Sequence, residues 1–210
     1  MARTSAGAGA VPDAARRRAA PTVATVSETP PEQLLAWTPA LERPDLLADP
    51  VAAALRALPA EDAAAVLVAE IDPDVADTAA LVASSDVTLE ESANCVLVGG
   101  RRDGEQRVAA ALVRGTDRAD VNGLVKRALD VRKASFLARE DAVSASGMEF
   151  GAITPVGLPD GWRVLVDGAV AGLPRAVVGS GVRRSKLALP GALLARLPGA
   201  EVHEGLGRPA

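Results

Sequence analysis

The sequence predicts an α+β fold with a mixed sheet. Strand-like and helix-like runs intermingle without a steady βαβ alternation, Gly and Pro break the second half into short segments, and no internal repeat is visible. At 210 residues the chain can bury one domain plus tails, and it is too short for two large domains. Apolar residues make up 49% of it but aromatic residues only 2%, so the core must be built from Ala, Val and Leu. Ala, Pro, Thr and Ser dominate residues 1–31, which read as a disordered tail. The domain itself is expected over 32–205, with a short C-terminal tail at 206–210.

Each element follows from local chemistry. Pro50 suits the first turn of a helix over Val51–Leu58. "AAAVLVAEI" reads as a strand ending near Asp72-Pro73-Asp74, and "DVADTAALVAS" as a helix with Val75, Ala79, Leu81 and Val82 on its apolar side. Thr88-Leu89-Glu90-Glu91 matches a capping box, a hydroxyl followed three residues later by a carboxylate. "CVLVGG", the turn "RRDG" and "QRVAAALVRG" predict a β-hairpin, because Asp103-Gly104 tolerates positive φ. "DRADVNGLVKRALD" reads as a helix, with Val121, Leu124, Val125, Ala128 and Leu129 at helical spacing. "KASFLA" is a short strand, "REDAVSASG" a helix ended by Gly147, and "MEFGAITPVGLPDG" too rich in Gly and Pro for any regular element. The strands "WRVLVD", "RAVVGSG" and "SKLAL" follow, then a helix opened by Pro190 and a last strand "AEVHEG".

Several chemistries are excluded early. Cys95 is alone, so no intramolecular disulfide forms, and a reducing, cytoplasmic setting is expected. Cys95 and His203 do not suffice for a zinc site, and each reads better as a structural residue than as half of a nucleophilic pair. No stretch reaches the ~20 apolar residues of a membrane span, and no apolar segment follows Arg16, Arg17 and Arg18 as a secretory signal requires. The phosphate-loop signature is absent. "GSGVRR" has Arg184 where a dinucleotide fingerprint needs its third glycine, and Asp72 and Asp74 read as turn residues. Net charge is −4 but uneven: +2 over 1–31, −11 over 32–91 and +5 over 92–210. The C-terminal part has the sign to face a phosphate backbone, although solvated surfaces produce the same counts.

One loop invites chemistry. In "EFGAITPVG", Gly151 and Pro155 bracket four peptide bonds that cannot be regular. A rigid loop with outward N–H groups binds an oxyanion or an ester carbonyl without a charged side chain. An ordinary proline turn remains the competing explanation.

The segments "VLVGGRRDGEQRVAAALVRGTDRADVN", "RKASF", "SGMEFGAITPVGL", "VLVDGAV", "VVGSGVRRSKLAL" and "PGALLARLPGAEV" run in the order and spacing of the YbaK/EbsC family, the prolyl-tRNA-synthetase-associated editing domain. The resemblance spans 93–201 and, more faintly, reaches back to about Val51. It implies a largely antiparallel central sheet or partial barrel surrounded by helices. It also implies a trans-acting aminoacyl-tRNA deacylase that hydrolyses the ester of a mischarged tRNA. A small amino acid, with proline tRNA as a candidate carrier, is the substrate so implied. Aminoacyl-tRNA and a synthetase are the implied partners, with no metal, no organic cofactor and no membrane.

The resemblance also assigns roles. The amides of Gly151, Ala152, Ile153, Thr154 and Pro155's loop would hold the carbonyl, and water would attack with help from a ribose hydroxyl. Asp167 would support the pocket or simply cap the next turn. Gly179, Ser180 and Gly181 resemble a small-residue strand end beside the substrate, with Ser180 one place later than the serine of many relatives. Arg183, Arg184 and Lys186 would meet tRNA phosphates. Asn94 falls where active relatives carry lysine, and asparagine lacks that charge and reach. Either Asn94 positions the substrate through its amide, or the chain is a catalytically impaired module that binds a tRNA end or a partner.

Overall fold

The computed structural model describes residues 34–210, so the expected tail over 1–31 lies outside the described residues. The architecture is α+β. In chain order it contains β1 (Thr38–Pro39), α1 (Asp49–Ala57), α2 (Ala60–Ala64), β2 (Leu67–Glu70), α3 (Thr78–Ser84), β3 (Ala93–Arg102), β4 (Glu105–Arg114) and β5 (Asp117–Ala119). Then come α4 (Lys126–Ala128), β6 (Ala134–Phe136), α5 (Arg139–Ser146), β7 (Arg163–Asp167), α6 (Gly168–Ala171) and β8 (Ala176–Gly179). The chain ends with β9 (Ser185–Leu189), α7 (Gly191–Leu194), β10 (Ala200–His203) and β11 (Gly207–Pro209).

Two sheets carry the domain. One has the order β10-β7-β4-β3-β6, the other β1-β2-β9-β8, and β11-β5 forms a separate ribbon. The first sheet is mixed: β7 is parallel to both β4 and β10, while β3 is antiparallel to β4 and β6. The second is antiparallel throughout. The hairpin β3–β4 closes over Asp103 and Gly104, both with positive φ, as the turn chemistry requires. Strands β4 and β7 are buried on both faces, which is why "VAAALV" and "VLV" read as unbroken apolar runs. Ala109, Ala111 and Val113 pack one way, whereas Leu112 packs the other way with Val164 and Val166. Helix α1 lays Val51, Ala52 and Leu55 on that second cluster.

The sheets share a hydrophobic core, and among the described residues one backbone bridge joins them. Ser92 bridges to Val177 in parallel, with the Val177 N–H donating to the Glu91 carbonyl at 2.8 Å. The capping box sets this junction. Glu91 N–H donates to Thr88 Oγ1 at 3.2 Å, and the Glu91 carboxylate receives the Thr88 N–H at 3.4 Å, fixing the chain as it enters β3.

Four readings from the sequence need correction. "AAAVLVAEI" is not one strand, because α2 takes Ala60–Ala64 and the strand begins only at Leu67. "DVADTAALVAS" begins with a separate 3₁₀ turn, and α3 starts only after Asp77 caps it through the Ala80 N–H. "DRADVNGLVKRALD" gives its first residues to β5, after which Asp120 caps a π turn through the N–H groups of Gly123 and Leu124 at 3.1 Å each. Finally, residues 207–209 are no tail. Gly207–Pro209 pairs antiparallel with Asp117–Ala119, and Leu206 is fully buried beside it.

The loop before β7 docks on the end of β8 at Gly179, where an added Cβ would overlap the Ala152 carbonyl. Both sides of that contact are backbone, so neither can swing away. Gly179→Ala should therefore destabilise the protein by about 1–3 kcal/mol. Urea unfolding measures that loss, and hydrogen exchange should show faster opening confined to 148–154 and 179–183.

Candidate functional site

A cavity of about 600 Å³ opens where β3 changes neighbours. Strand β6 pairs with Val98–Gly100, and β8 meets the chain at Ser92. Among the described residues, 94–96 on this edge are paired with neither strand. The gap is walled by β3, the end of β8, the N-terminus of α3 and the Gly151–Ile153 stretch of the loop.

The loop is held by a short ladder. Glu149 N–H donates to the Gly181 carbonyl at 2.8 Å, and Gly181 N–H donates to the Ala152 carbonyl at 2.9 Å. Gly151 has φ +86, a left-handed conformation that glycine adopts without strain. The alternation this creates sorts the five loop residues. Gly151 and Ile153 line the cavity. Ala152 and Thr154 are buried behind it, and Pro155 lines a different pocket beside Gly157 and Trp162. Among the described residues, the N–H groups of Gly151 and Ile153 have no protein acceptor, whereas those of Ala152 and Thr154 go to the Glu149 carbonyl and Met148 Sδ. The five residues thus do not act as one surface; two of them face the cavity.

Asn94 also lines the cavity, its Oδ1 accepting the Thr78 hydroxyl at 2.6 Å. Gly179 lines it as well. Ser180 does not: it is buried, shares a 2.6 Å hydrogen bond with Ser185 Oγ and ties down the turn into β9. Gly181 packs against Ala48 and Val51. Asp167 is structural. One carboxylate oxygen caps α6 through the Ala169 N–H at 2.8 Å, and the other accepts from Gly207 N–H at 2.7 Å.

The three cations separate too. Arg183 donates to the Pro73 carbonyl at 2.7 Å and Arg184 to the Asp45 carbonyl. Lys186, expected beside them at a phosphate surface, is buried at 8% exposure in the cavity wall. Its Nζ donates to the Ala76 carbonyl at 2.6 Å. Burial, reinforced by Arg183 and opposed by Asp77, pushes its ammonium down to about 8.

Cys95 lines the same cavity, but burial pushes its thiol up to about 12, which leaves no thiolate for nucleophilic attack near neutrality. His203 lies on β10, three strand spacings or roughly 14 Å across the sheet from β3, so the two make no dyad. No group of three or more His, Cys, Asp and Glu residues able to hold a metal occurs among the described residues.

Sequence reasoning missed the rim. Phe136 and Phe150, the chain's two phenylalanines, stand at 64% and 48% exposure beside the cavity, and the Arg139 guanidinium lies 4.8 Å from the Phe150 ring. Both rings and Arg139 belong to the lining of the cavity. The signal was present, since both lie inside "RKASF" and "SGMEFG".

The model of the aminoacyl-tRNA editing domain matches residues 72–197. The chain belongs to that family. The editing domain is 31% identical over 109 residues to proline--tRNA ligases from two Listeria monocytogenes strains. That match takes in 51% of this chain but 18% of each ligase, so the chain spans under a fifth of those relatives. Among solved structures it superposes with TM-score 0.62 on a candidate trans-editing enzyme for prolyl tRNA synthetase, at 19% identity, covering 75% of this chain and 94% of that one. A scaffold from epitope grafting by computational design gives the same score at 20% identity, covering 75% and 95%. These two likenesses establish the fold. Among the described residues, no helix is long and apolar enough to cross a membrane.

The buried lysine has a thermodynamic signature. Between about 8 and its ordinary 10.5 the unfolded chain carries a proton on Lys186 that the native protein lacks, so stability rises with pH through that window. Cys95 opposes it, because above 9.0 the unfolded thiol ionises while the native one does not. In a Cys95→Ala background, unfolding free energy should therefore climb from pH 8 to pH 10.5, by on the order of 3 kcal/mol, relative to a Lys186→Met partner. Separately, Asp167→Ala should cost about 2 kcal/mol in urea unfolding, through a lost cap and an orphaned Gly207 amide.

Proposed function

We propose that this editing domain is a trans-acting aminoacyl-tRNA deacylase that releases a small amino acid from its tRNA, with proline tRNA as a candidate carrier. The observation that carries the reading is the pair of uncommitted N–H groups at Gly151 and Ile153, set on a cavity wall by the loop's docking on β8. An ester carbonyl placed there accepts both hydrogen bonds, which strengthen as its oxygen takes on negative charge. Water adds to the carbonyl carbon, the carbon–oxygen bond to the ribose breaks, and the ribose oxygen leaves with a proton. The products are the free amino acid and the intact tRNA end.

No protein nucleophile enters this scheme. Cys95 is held as a thiol, and Ser180 is committed to Ser185. An ester is already activated, so holding it in place beside oriented donors supplies much of the acceleration. Selection among amino acids then rests on the fit of side chains against Leu97, Val178 and Ile153, worth about 1–3 kcal/mol per methylene. At the mouth, Phe136 and Phe150 offer faces on which terminal bases can stack. The +5 balance of residues 92–210 suits an approach by phosphates.

A second reading, a module that binds a tRNA end without cutting it, is favoured by Asn94, which brings no charge and whose Oδ1 already accepts from the Thr78 hydroxyl. Turnover separates the two. The purified chain should deacylate at least one member of a panel of mischarged tRNAs faster than buffer. Binding of charged tRNA with no hydrolysis across the panel would give the protein to the second reading. Gly151→Val should cut kcat/KM by at least about 100-fold: a β-branched residue cannot hold φ +86, and its Cβ would sit 2.7 Å from an Arg183 nitrogen.

A further inference from the structure

We infer that Lys186 is a catalytic residue of the proposed deacylase, its ammonium donating to the ribose oxygen of the bound ester as that oxygen departs. The inference rests on the deacylase reading and adds to it the group that serves the leaving side of the bond.

Placement carries the argument. Lys186 on β9 is the direct cross-strand partner of Gly179 on β8, so the two share a face of the sheet. That is the position where the loop backbone presses in at Ala152, with Gly151 and Ile153 turned to the cavity. The lysine stem therefore runs beside the proposed carbonyl cradle and ends in the same cavity. Its ammonium has three N–H donors and spends one, on the Ala76 carbonyl. Asn94 and Thr78 are neutral and bonded to each other, and Arg139 sits at the exposed rim. Lys186 is thus the buried cation of this cavity among the described residues.

A buried ammonium without a bonded carboxylate is a poor structural choice. Asp77, the opposite charge that acts on it and also lines the cavity, accepts from the Ala80 N–H, and Arg183 adds repulsion. A methionine would fill the same slot at no charge cost. A cation kept at such expense beside a cavity that would take an ester has its return in the bound state. The balance of the step is simple. Water gives its oxygen to the carbonyl carbon and releases a proton; the ribose oxygen takes one from Lys186; solvent returns one to the lysine. Depressed toward neutrality by burial, the ammonium gives up its proton readily while remaining mostly charged at pH 7.

The test is a set of pH profiles of kcat/KM, corrected for buffer hydrolysis, on wild type and Lys186→Met with the best substrate of the tRNA panel. Lys186→Met should lose at least about 100-fold at pH 7. The ratio of wild type to variant should fall about tenfold per pH unit above 8, as Lys186, with Asp77 and Arg183 the charged groups that act on it, loses its proton. The Tm of Lys186→Met should be unchanged or higher. Activity within twofold of wild type, or a ratio flat in pH, overturns the inference while leaving the deacylase reading intact. If wild type itself hydrolyses nothing, the deacylase reading fails, and the proposed catalytic role of Lys186 fails with it. If Lys186→Met does not fold, Lys186→Gln replaces it, and the Nζ resonance of ¹⁵N-lysine-labelled wild type is followed as a non-hydrolysable 3′-aminoacylamino-adenosine is added. Movement of the Lys186 signal supports the contact and an unmoved signal overturns it.

Discussion

The approach of one loop to one strand end governs this molecule's chemistry. The Ala152 carbonyl lies against Gly179 so closely that no side chain fits between them, and two hydrogen bonds through Gly181 hold it there. From that contact the rest follows. Ala152 is buried behind the cavity while its neighbours Gly151 and Ile153 line it, and among the described residues the N–H groups of those two have no protein acceptor. Gly181, with φ +84 against Ala48 and Val51, fixes the strand end from behind. Backbone docked on backbone is stiff, and the oxyanion role proposed for this loop needs stiffness, because its donors must already be aimed when charge develops.

The cavity itself is a product of sheet topology. A strand edge bonded along its whole length would leave no opening, and one left wholly free would invite association. Strand β3 divides its edge between β6 and the Ser92 bridge to β8, and the unpaired stretch between them becomes a wall. The capping box at Thr88 and Glu91 sets where that division falls, so a motif that looks like simple helix punctuation in fact positions Asn94 and Cys95 at the cavity.

Much of this could be read from the residues, and the failures have physical causes. The hairpin was legible because Asp103-Gly104 demands positive φ, and α5 because Gly147 must end it in the left-handed region. The irregular loop was legible through Gly151 and Pro155. Strand β11 was not, because Gly207–Pro209 has no apolar alternation and owes its order to β5 and the buried Leu206. The π turn at Val121–Val125 was hidden for the opposite reason, since its apolar spacing is helical and only Asp120's double cap departs from an α-helix. In the candidate site, the Gly-x-x-x-Pro pattern pointed to a loop that borders the cavity but could not say that two of its five residues line it. Asp167 and Ser180 look like site residues in sequence because polar groups beside small ones do. Whether such a group reaches a substrate or its own backbone depends on a rotation of side chains that no linear spacing encodes.

Lys186 shows the same limit from the other direction. Read along the chain it belongs with Arg183 and Arg184, three cations at a strand end and a natural guess for phosphate contacts. The start of the strand separates them: Arg183 and Arg184 lie in the turn before β9 and donate to the Pro73 and Asp45 carbonyls, while Lys186, the second residue of β9, turns into the cavity. In a core of alanine, valine and leucine a charge so placed is not silent. It lowers stability near neutrality, and among the described residues no carboxylate is bonded to it in compensation. Folding alone does not account for such a residue; the proposed donation to a departing ribose oxygen, with the ester against Gly151 and Ile153, does.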